Sequence, residues 1–191
     1  KERELLSEEL EKQYNQCIEI PIIINGKEIK TGNVSEVVMP TEHSHVLAKF
    51  HKADKETVQK AIESALEARK KWENVHWIDR CSIMLRAAEL LAGKYRYVIN
   101  AATMLGQGKN PFQAEIDSAC ETIDFLRFNV HYAAKIYAQQ PLSDNSAINR
   151  LEYRGLEGFV YAISPFNLPS IACNLKISPL LMGNITVWKP A

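Results

Sequence analysis

Two short β-rich runs flank a helix-like stretch near the end of the chain, and this order constrains the fold more than any other feature. The first run, Phe159 to Ile163, is almost wholly apolar, which is typical of a strand buried on both faces. Pro169 suits the first turn of a helix, and Gly183 suits its end. The second run covers Ile185 to Trp188. The sequence therefore predicts a strand–helix–strand unit of a parallel α/β sheet.

Polar side chains follow each of these predicted strands at its carboxyl end. Ser164 and Asn167 come after the first run, and Lys189 comes after the second. Open α/β sheets bind their ligands at this edge. We therefore expect a binding site to be formed there.

The same residues carry a family resemblance. Residues 165–167 (PFN) and 183–190 (GNITVWKP) resemble the NAD(P)-dependent aldehyde dehydrogenases. Four earlier segments resemble one branch, the L-glutamate γ-semialdehyde (1-pyrroline-5-carboxylate) dehydrogenases: residues 105–109 (LGQGK), 113–117 (QAEID), 123–129 (IDFLRFN) and 153–159 (YRGLEGF). The resemblance is dense from about residue 36 to the end, and several motifs in the right order are more specific than any one of them.

The resemblance implies an α/β fold, the N-terminal part of an aldehyde dehydrogenase subunit, with a helical layer, small β-hairpins and the start of a Rossmann-like sheet. Residues 1–138 correspond to the helical part of the NAD-binding domain. Residues 139–157 correspond to a two-stranded oligomerisation hairpin, and residues 158–191 to the first, truncated strand–helix–strand unit of the sheet.

The resemblance also implies roles for individual residues. Asn167 matches the amide that donates to the aldehyde oxygen as it becomes an oxyanion, and Glu115 matches a residue near the amino group of the substrate. Leu168 stands where most members have an aromatic substrate contact. The expected cofactor contacts are Ile163, Ser164, Pro165, Phe166 and Lys189. The family's nucleophilic cysteine and its glutamate base correspond to positions beyond residue 191.

The implied activity of a full-length subunit is oxidation of glutamate γ-semialdehyde to glutamate with NAD+, in proline degradation, with NADP+ as the alternative cofactor. The resemblance further implies a homodimer or higher homo-oligomer in the mitochondrial matrix, and an inactive chain when residues 1–191 stand alone. A rival hypothesis is a truncated, non-catalytic chain that docks on full-length subunits through residues 139–157.

Each candidate also has a simpler interpretation. Asn167 is suited to a turn or a helix N-cap, Lys189 to solvent, and Glu115 to the protein surface or to helix packing. Residues 106–108 (GQG) follow a predicted helix rather than a strand, so a helix connection is favoured over a phosphate loop. Cys173 lies inside a predicted helix and is interpreted as a buried thiol. Only two histidines, His43 and His45, lie close together in the sequence, and no carboxylate is suitably placed beside them, so we expect no metal site.

Composition excludes several classes of protein. Lys plus Arg equals Asp plus Glu at 23 each, which argues against a nucleic-acid or membrane-surface partner. No apolar run reaches the roughly 18 residues of a membrane span. Other patterns predict a hairpin at Asn25-Gly26, short edge strands at 34–39 and 46–50, and helices over about 54–72, 78–92, 95–104 and 111–139. Asp54 is the expected cap of the first of these helices and Asn110 that of the last, whose predicted buried face includes Ile116.

Overall fold

The computed structural model describes residues 1–191, which form a set of helices and three small sheets. The helices are α1 (Glu2–Tyr14), α2 (Lys55–Trp72), α3 (Trp77–Ala92), α4 (Arg96–Gln107), α5 (Pro111–Ala114), a π-helical turn (Glu115–Cys120), α6 (Glu121–Tyr137) and α7 (Pro169–Leu181). The strands are β1 (Ile18–Ile20), β2 (Ile22–Ile24), β3 (Lys27–Ile29), β4 (Val34–Met39), β5 (Glu42–His51), β6 (Val160–Ile163) and β7 (Thr186–Lys189). No helix is both long enough and apolar enough to cross a membrane.

The strand–helix–strand order is confirmed at β6, α7 and β7, whereas the expectation that the first strand is buried on both faces is wrong, because Tyr161 and Ile163 are each 57% exposed. The two strands pair in parallel, with Val160 beside Thr186 and Ile163 beside Lys189. Pro169 stands in the first turn of α7, where its missing N–H costs no hydrogen bond. Gly183 follows the helix with a φ of 85°, a conformation that glycine adopts without strain. The chain therefore holds two neighbouring parallel strands, and the expected α/β class is confirmed.

The core lies where α3, α6 and α7 pack together, and it anchors α7, the helix that connects the two parallel strands. Its buried apolar members are Cys81, Met84, Ala88, Ile123, Leu126, Ala133 and Leu181. Two side chains bind the end of α7 by hydrogen bonds: Trp72 Nε1 donates to Leu180 O (3.0 Å), and Arg80 Nε donates to Leu181 O (2.9 Å). Because Arg80 is only 4% exposed, this contact fixes α7 firmly against α3.

The N-terminal strands differ in one respect from the prediction. The Asn25-Gly26 hairpin is confirmed: β2 and β3 pair antiparallel, and φ is 51° at Asn25 and 71° at Gly26. The prediction that 46–50 forms an edge strand is wrong. It belongs to the longer β5, which lies in the middle of a three-stranded sheet because β1 adds to it in parallel.

The long helix predicted over 111–139 is interrupted. The Asn110 cap is confirmed, since its side chain accepts from Gln113 N in a full capping box. The next turns follow π-helical spacing from Glu115 to Cys120, and α6 ends at Tyr137. A π-turn holds more residues than an α-turn, so it shifts the buried face, and Ile116 is 38% exposed rather than in the core.

The predicted two-stranded hairpin at 139–157 is wrong in its secondary structure. The segment does turn back on itself, with Asp144 N bonded to Ala147 O (3.1 Å). Its two arms are joined through side chains, as when Gln140 Oε1 accepts from Leu151 N (2.8 Å), and neither arm forms a strand. Side-chain bonds thus take the place of a backbone ladder between the two arms.

Candidate active site

The carboxyl edge of β6 and β7 brings together two of the predicted cofactor contacts. Ile163 and Lys189 lie side by side in register, and Ser164 N donates to Lys189 O (3.1 Å). Ile163 is 57% exposed, and the Lys189 side chain is also exposed. The edge therefore presents an apolar side chain next to a free ammonium group.

Ser164 has a different role in the structure from the other predicted contacts. It is buried, and its hydroxyl accepts a hydrogen bond from Trp188 Nε1 at 2.6 Å. This bond ties the residue after β6 to the neighbouring strand β7. The Ser164 side chain thus shapes the edge.

A lysine inside α7 packs on the same tryptophan. Lys176 Nζ lies 3.6 Å from the centre of the Trp188 ring, in cation–π geometry. Burial lowers the pKa of Lys176. The face of the indole ring accommodates this long side chain. Trp188 is therefore bound on its edge by Ser164 and on its face by Lys176.

The loop that joins β6 to α7 carries the other predicted residues. Phe166 is 81% exposed and Pro165 is half-buried. Leu168, not Asn167, is the N-cap residue of α7, and it has no side-chain capping bond. The N-cap interpretation of Asn167 is therefore wrong. The Asn167 side chain is exposed and makes no hydrogen bond within the chain, so its amide is free to donate.

A contact that the sequence did not reveal ties this loop to the helical layer. Lys109 Nζ donates to the main-chain oxygen of Asn167 (2.5 Å) and to Asp117 Oδ2 (2.6 Å). The lysine and the asparagine are 58 residues apart, so no local sequence pattern relates them. The contact joins the predicted catalytic loop to the π-helical turn.

Glu115 is held by its own chain. Its carboxylate forms an ion pair with Arg96, and its Oε2 accepts from Asn100 Nδ2 (2.5 Å). Ser118 Oγ in turn donates to Asn100 Oδ1 (2.9 Å), which orients the amide. Glu115 begins the π-helical turn, a feature that often occurs at functional sites. The surface interpretation is wrong, because Glu115 is half-buried and paired.

Cys173 is a half-buried thiol, and His45 and His51 have polar partners within the chain. Burial raises the pKa of the Cys173 thiol, which keeps it protonated and poorly nucleophilic. His45 Nε2 lies 2.8 Å from Tyr14 O, and His51 Nε2 lies 2.8 Å from Glu19 Oε1. No group of three His, Cys, Asp or Glu side chains is arranged to hold a metal ion.

With this geometry in place, comparison with known proteins decides the family. Residues 28–191 match the profile of the Aldehyde dehydrogenase family, which is most of the chain. The chain belongs to the aldehyde dehydrogenase family.

Several relatives of the chain carry one activity in their names. A probable delta-1-pyrroline-5-carboxylate dehydrogenase of Schizosaccharomyces pombe is 53% identical over 175 residues, which cover 91% of this chain and 32% of that protein. The human delta-1-pyrroline-5-carboxylate dehydrogenase, named as mitochondrial, is 48% identical over 190 residues, covering 100% of this chain and 34% of that protein. The chain therefore spans about a third of the length of these relatives.

The solved structures agree with the sequence relatives. The NAD-bound delta-pyrroline-5-carboxylate dehydrogenase of Mycobacterium tuberculosis superposes with a TM-score of 0.97 at 46% identity, covering 100% of this chain and 36% of that one. The fold of residues 1–191 is thus that of the corresponding part of an aldehyde dehydrogenase subunit.

Proposed function

We propose that this chain forms the amino-terminal part of an NAD-dependent dehydrogenase that oxidises L-glutamate γ-semialdehyde to glutamate in proline degradation. One observation carries the proposal: relatives near 50% identity over nearly the whole chain are named for this activity. The aldehyde-oxidising family and the exposed amide of Asn167 at the strand edge support it.

The residues at the strand edge fit a dinucleotide. Lys189 offers an unpaired ammonium for a ribose hydroxyl, and Ile163 and Phe166 offer exposed apolar surface within the same edge. Nicotinamide, when bound, supplies the hydride acceptor of the reaction. The residues of this chain bind and orient: Lys189 donates, Ser164 keeps the two strands in register through Trp188, and Pro165 shapes the loop.

Asn167 acts on the aldehyde itself. When a cysteine thiolate elsewhere in the full subunit adds to the carbonyl carbon, negative charge develops on the carbonyl oxygen. A preorganised amide donor stabilises that charge more than it stabilises the neutral substrate. The Asn167 side chain is free for this task, since no group of the chain binds it.

Glu115 and Leu168 meet the substrate away from the reacting carbon. Both Glu115 oxygens already accept hydrogen bonds, yet a carboxylate has about four lone-pair positions, so an amino group can still be bound. Leu168 is half-buried at the start of α7 and provides apolar contact. Arg96 and Asn100 hold the Glu115 carboxylate in place for this interaction.

Assembly and location complete the proposal. The looped segment 139–157 leaves Leu142, Ile148 and Leu156 at least 70% exposed, which suits a contact between subunits of a homo-oligomer. Several relatives are named as mitochondrial, and we assign the enzyme to the mitochondrial matrix on that basis.

The test is an assay of the full-length protein that contains this chain. NADH formation is measured with glutamate γ-semialdehyde and with short aliphatic aldehydes, and NAD+ is compared with NADP+. We expect the highest kcat/KM with glutamate γ-semialdehyde and NAD+. Equal turnover of all aldehydes would contradict the substrate assignment, and a preference for NADP+ would contradict the cofactor assignment. Residues 1–191 alone are expected to be inactive, because none of their cysteines corresponds to the family's nucleophile.

A further inference from the structure

Lys109 connects two parts of the molecule that lie far apart in the sequence. Its ammonium lies between Asn167 O (2.5 Å) and Asp117 Oδ2 (2.6 Å). The Lys109 side chain is 16% exposed and that of Asp117 is 26% exposed, so solvent screens this pair only in part. Lys109 thus spans from the π-helical turn to the loop after β6.

The base of this bridge is rigid on both sides of the lysine. Gly108 ends α4 in the left-handed conformation, with a φ of 66°. Asn110 and Gln113 close a capping box at the start of α5. Lys109 therefore projects from a backbone whose course is set before and after it, and Asp117 orients its ammonium by charge.

The far end of the bridge is the main chain of the residue that would hold the oxyanion. Within the loop at 165–168, Lys109 gives the main-chain oxygen of Asn167 its hydrogen-bond partner, while the Asn167 side chain remains free. A bound carbonyl limits rotation of the adjoining peptide planes, and those planes set the direction in which the side chain leaves Cα. Loss of the bond would let the amide swing away from its working position.

We propose that Lys109 is a positioning residue: through its bond to Asn167 O it aims the side-chain amide of Asn167 at the reacting aldehyde oxygen. This inference rests on the proposed function, because it takes Asn167 as the oxyanion donor. It adds a residue that touches neither substrate nor cofactor and acts only through Asn167. Asp117 supports it by neutralising the ammonium.

The kinetic test uses the full-length enzyme with Lys109→Met, Lys109→Arg and a matched control, Lys60→Met. Lys60 is also paired with a carboxylate, that of Glu56, but it lies on α2 and is 62% exposed. We expect Lys109→Met to lower kcat by about 10- to 100-fold, the effect of a misplacement of about 1 Å, with little change in KM for NAD+. Lys109→Arg should restore part of the loss, and Lys60→Met should behave as the wild type.

A double-variant cycle separates positioning from a general structural role. If Lys109 acts through Asn167, the variant Lys109→Met/Asn167→Ala loses no more kcat than Asn167→Ala alone. Multiplicative losses would mean that the lysine acts independently, and they would overturn the inference. An unchanged kcat in Lys109→Met would overturn it as well.

A readout that needs no catalysis keeps the two proposals apart. Amide hydrogen exchange over residues 165–175 should become faster in Lys109→Met, because the loop and the first turn of α7 lose their tether, and should stay unchanged in Lys60→Met. Unaltered exchange in Lys109→Met would overturn the tether even in an active enzyme. An enzyme without activity on any aldehyde would instead overturn the proposed function and the catalytic half of the inference.

Discussion

In Asn167 the main chain is hydrogen-bonded, while the side chain has no partner. Its main-chain oxygen is held by Lys109, whereas its side chain is exposed and unpaired. Leu168 next to it takes the N-cap position without a capping bond, so the first N–H groups of α7 receive no side-chain acceptor from it. The local geometry leaves the amide available to a ligand and keeps the backbone in place.

Substitution of Asn167 tests its role directly. In the full-length enzyme Asn167→Ala should lower kcat by about 10²–10³, because a donor that acts on the oxyanion stabilises the transition state and not the substrate. KM should change little. Steady-state kinetics with glutamate γ-semialdehyde measures both constants, with Asn145→Ala as a control in the exposed turn of the 139–157 segment. A change confined to KM would reassign Asn167 to substrate binding.

Leu168 offers a test of selectivity. Leu168→Phe places a ring where leucine gives less apolar area, so kcat/KM for glutamate γ-semialdehyde should rise relative to short aliphatic aldehydes. The expected gain is roughly 1–2 kcal/mol, the range of hydrophobic-pocket discrimination. The matched control is Leu142→Phe, at a side chain that is 93% exposed. An unchanged or reversed ratio would mean that Leu168 is not a substrate contact.

At the scale of elements, two glycines let the segment before β6 pass close to the end of α7. A Cβ on Gly155 would lie 2.6 Å from the main-chain oxygen of Gly183. Asn184 reinforces the crossing, because its Oδ1 accepts from Leu156 N (2.7 Å). The end of α7 and the start of β6 are therefore packed backbone to backbone, and the parallel strands depend on that approach.

Gly155→Ala should accordingly destabilise the protein. The contact is with backbone, which cannot rotate away, so we expect a loss of roughly 1–3 kcal/mol in the free energy of unfolding. The urea midpoint of the full-length protein measures the loss. Gly106→Ala is the matched control: no atom lies within 4 Å of its added Cβ, and the residue is inside α4. The control should be neutral or slightly stabilising, and equal effects of the two variants would contradict the close-approach argument.

For the molecule as a whole, the parallel strands leave both backbone edges and apolar side chains unprotected. β6 and β7 form a two-stranded sheet, so each leaves one edge unpaired. Large apolar side chains stand exposed beside these edges, with Tyr161 and Ile163 at 57% and Phe166 at 81%. Unpaired edges next to exposed apolar surface favour association between chains.

The chain of residues 1–191 by itself should therefore self-associate. Sedimentation velocity should detect oligomers or aggregates at micromolar concentration, and Ile163→Lys should reduce them by placing a charge on the strand. Ile83→Lys, on α3 at a side chain that is 51% exposed, should reduce them less. A sharp melt from a monodisperse monomer would contradict the prediction.

Local sequence signals determined several of the helix ends, turns and strands of this structure. The β6–α7–β7 unit, the Asp54 cap of α2, the Asn110 cap and the Asn25-Gly26 turn all follow from residues within a few positions of one another. Such signals act on the nearby backbone: a capping side-chain oxygen accepts from an N–H two or three residues on, and a type I′ hairpin turn needs φ above zero. The positions of Ser164, Asn167 and Lys189 at the strand edge follow from the predicted strands, whereas the expected contacts of Ile163, Pro165 and Phe166 follow only from the family motifs.

Contacts between distant segments were decided by the tertiary structure. The addition of β1 to β5, the bond from Trp188 to Ser164 and the bridge from Lys109 to Asn167 each join residues that no periodicity relates. The π-helical turn likewise breaks the regular spacing from which a continuous helix was predicted. The physical reason is that the long-range partner of a side chain depends on how the helices and strands pack against one another. The residues adjacent to that side chain in the sequence do not specify this packing.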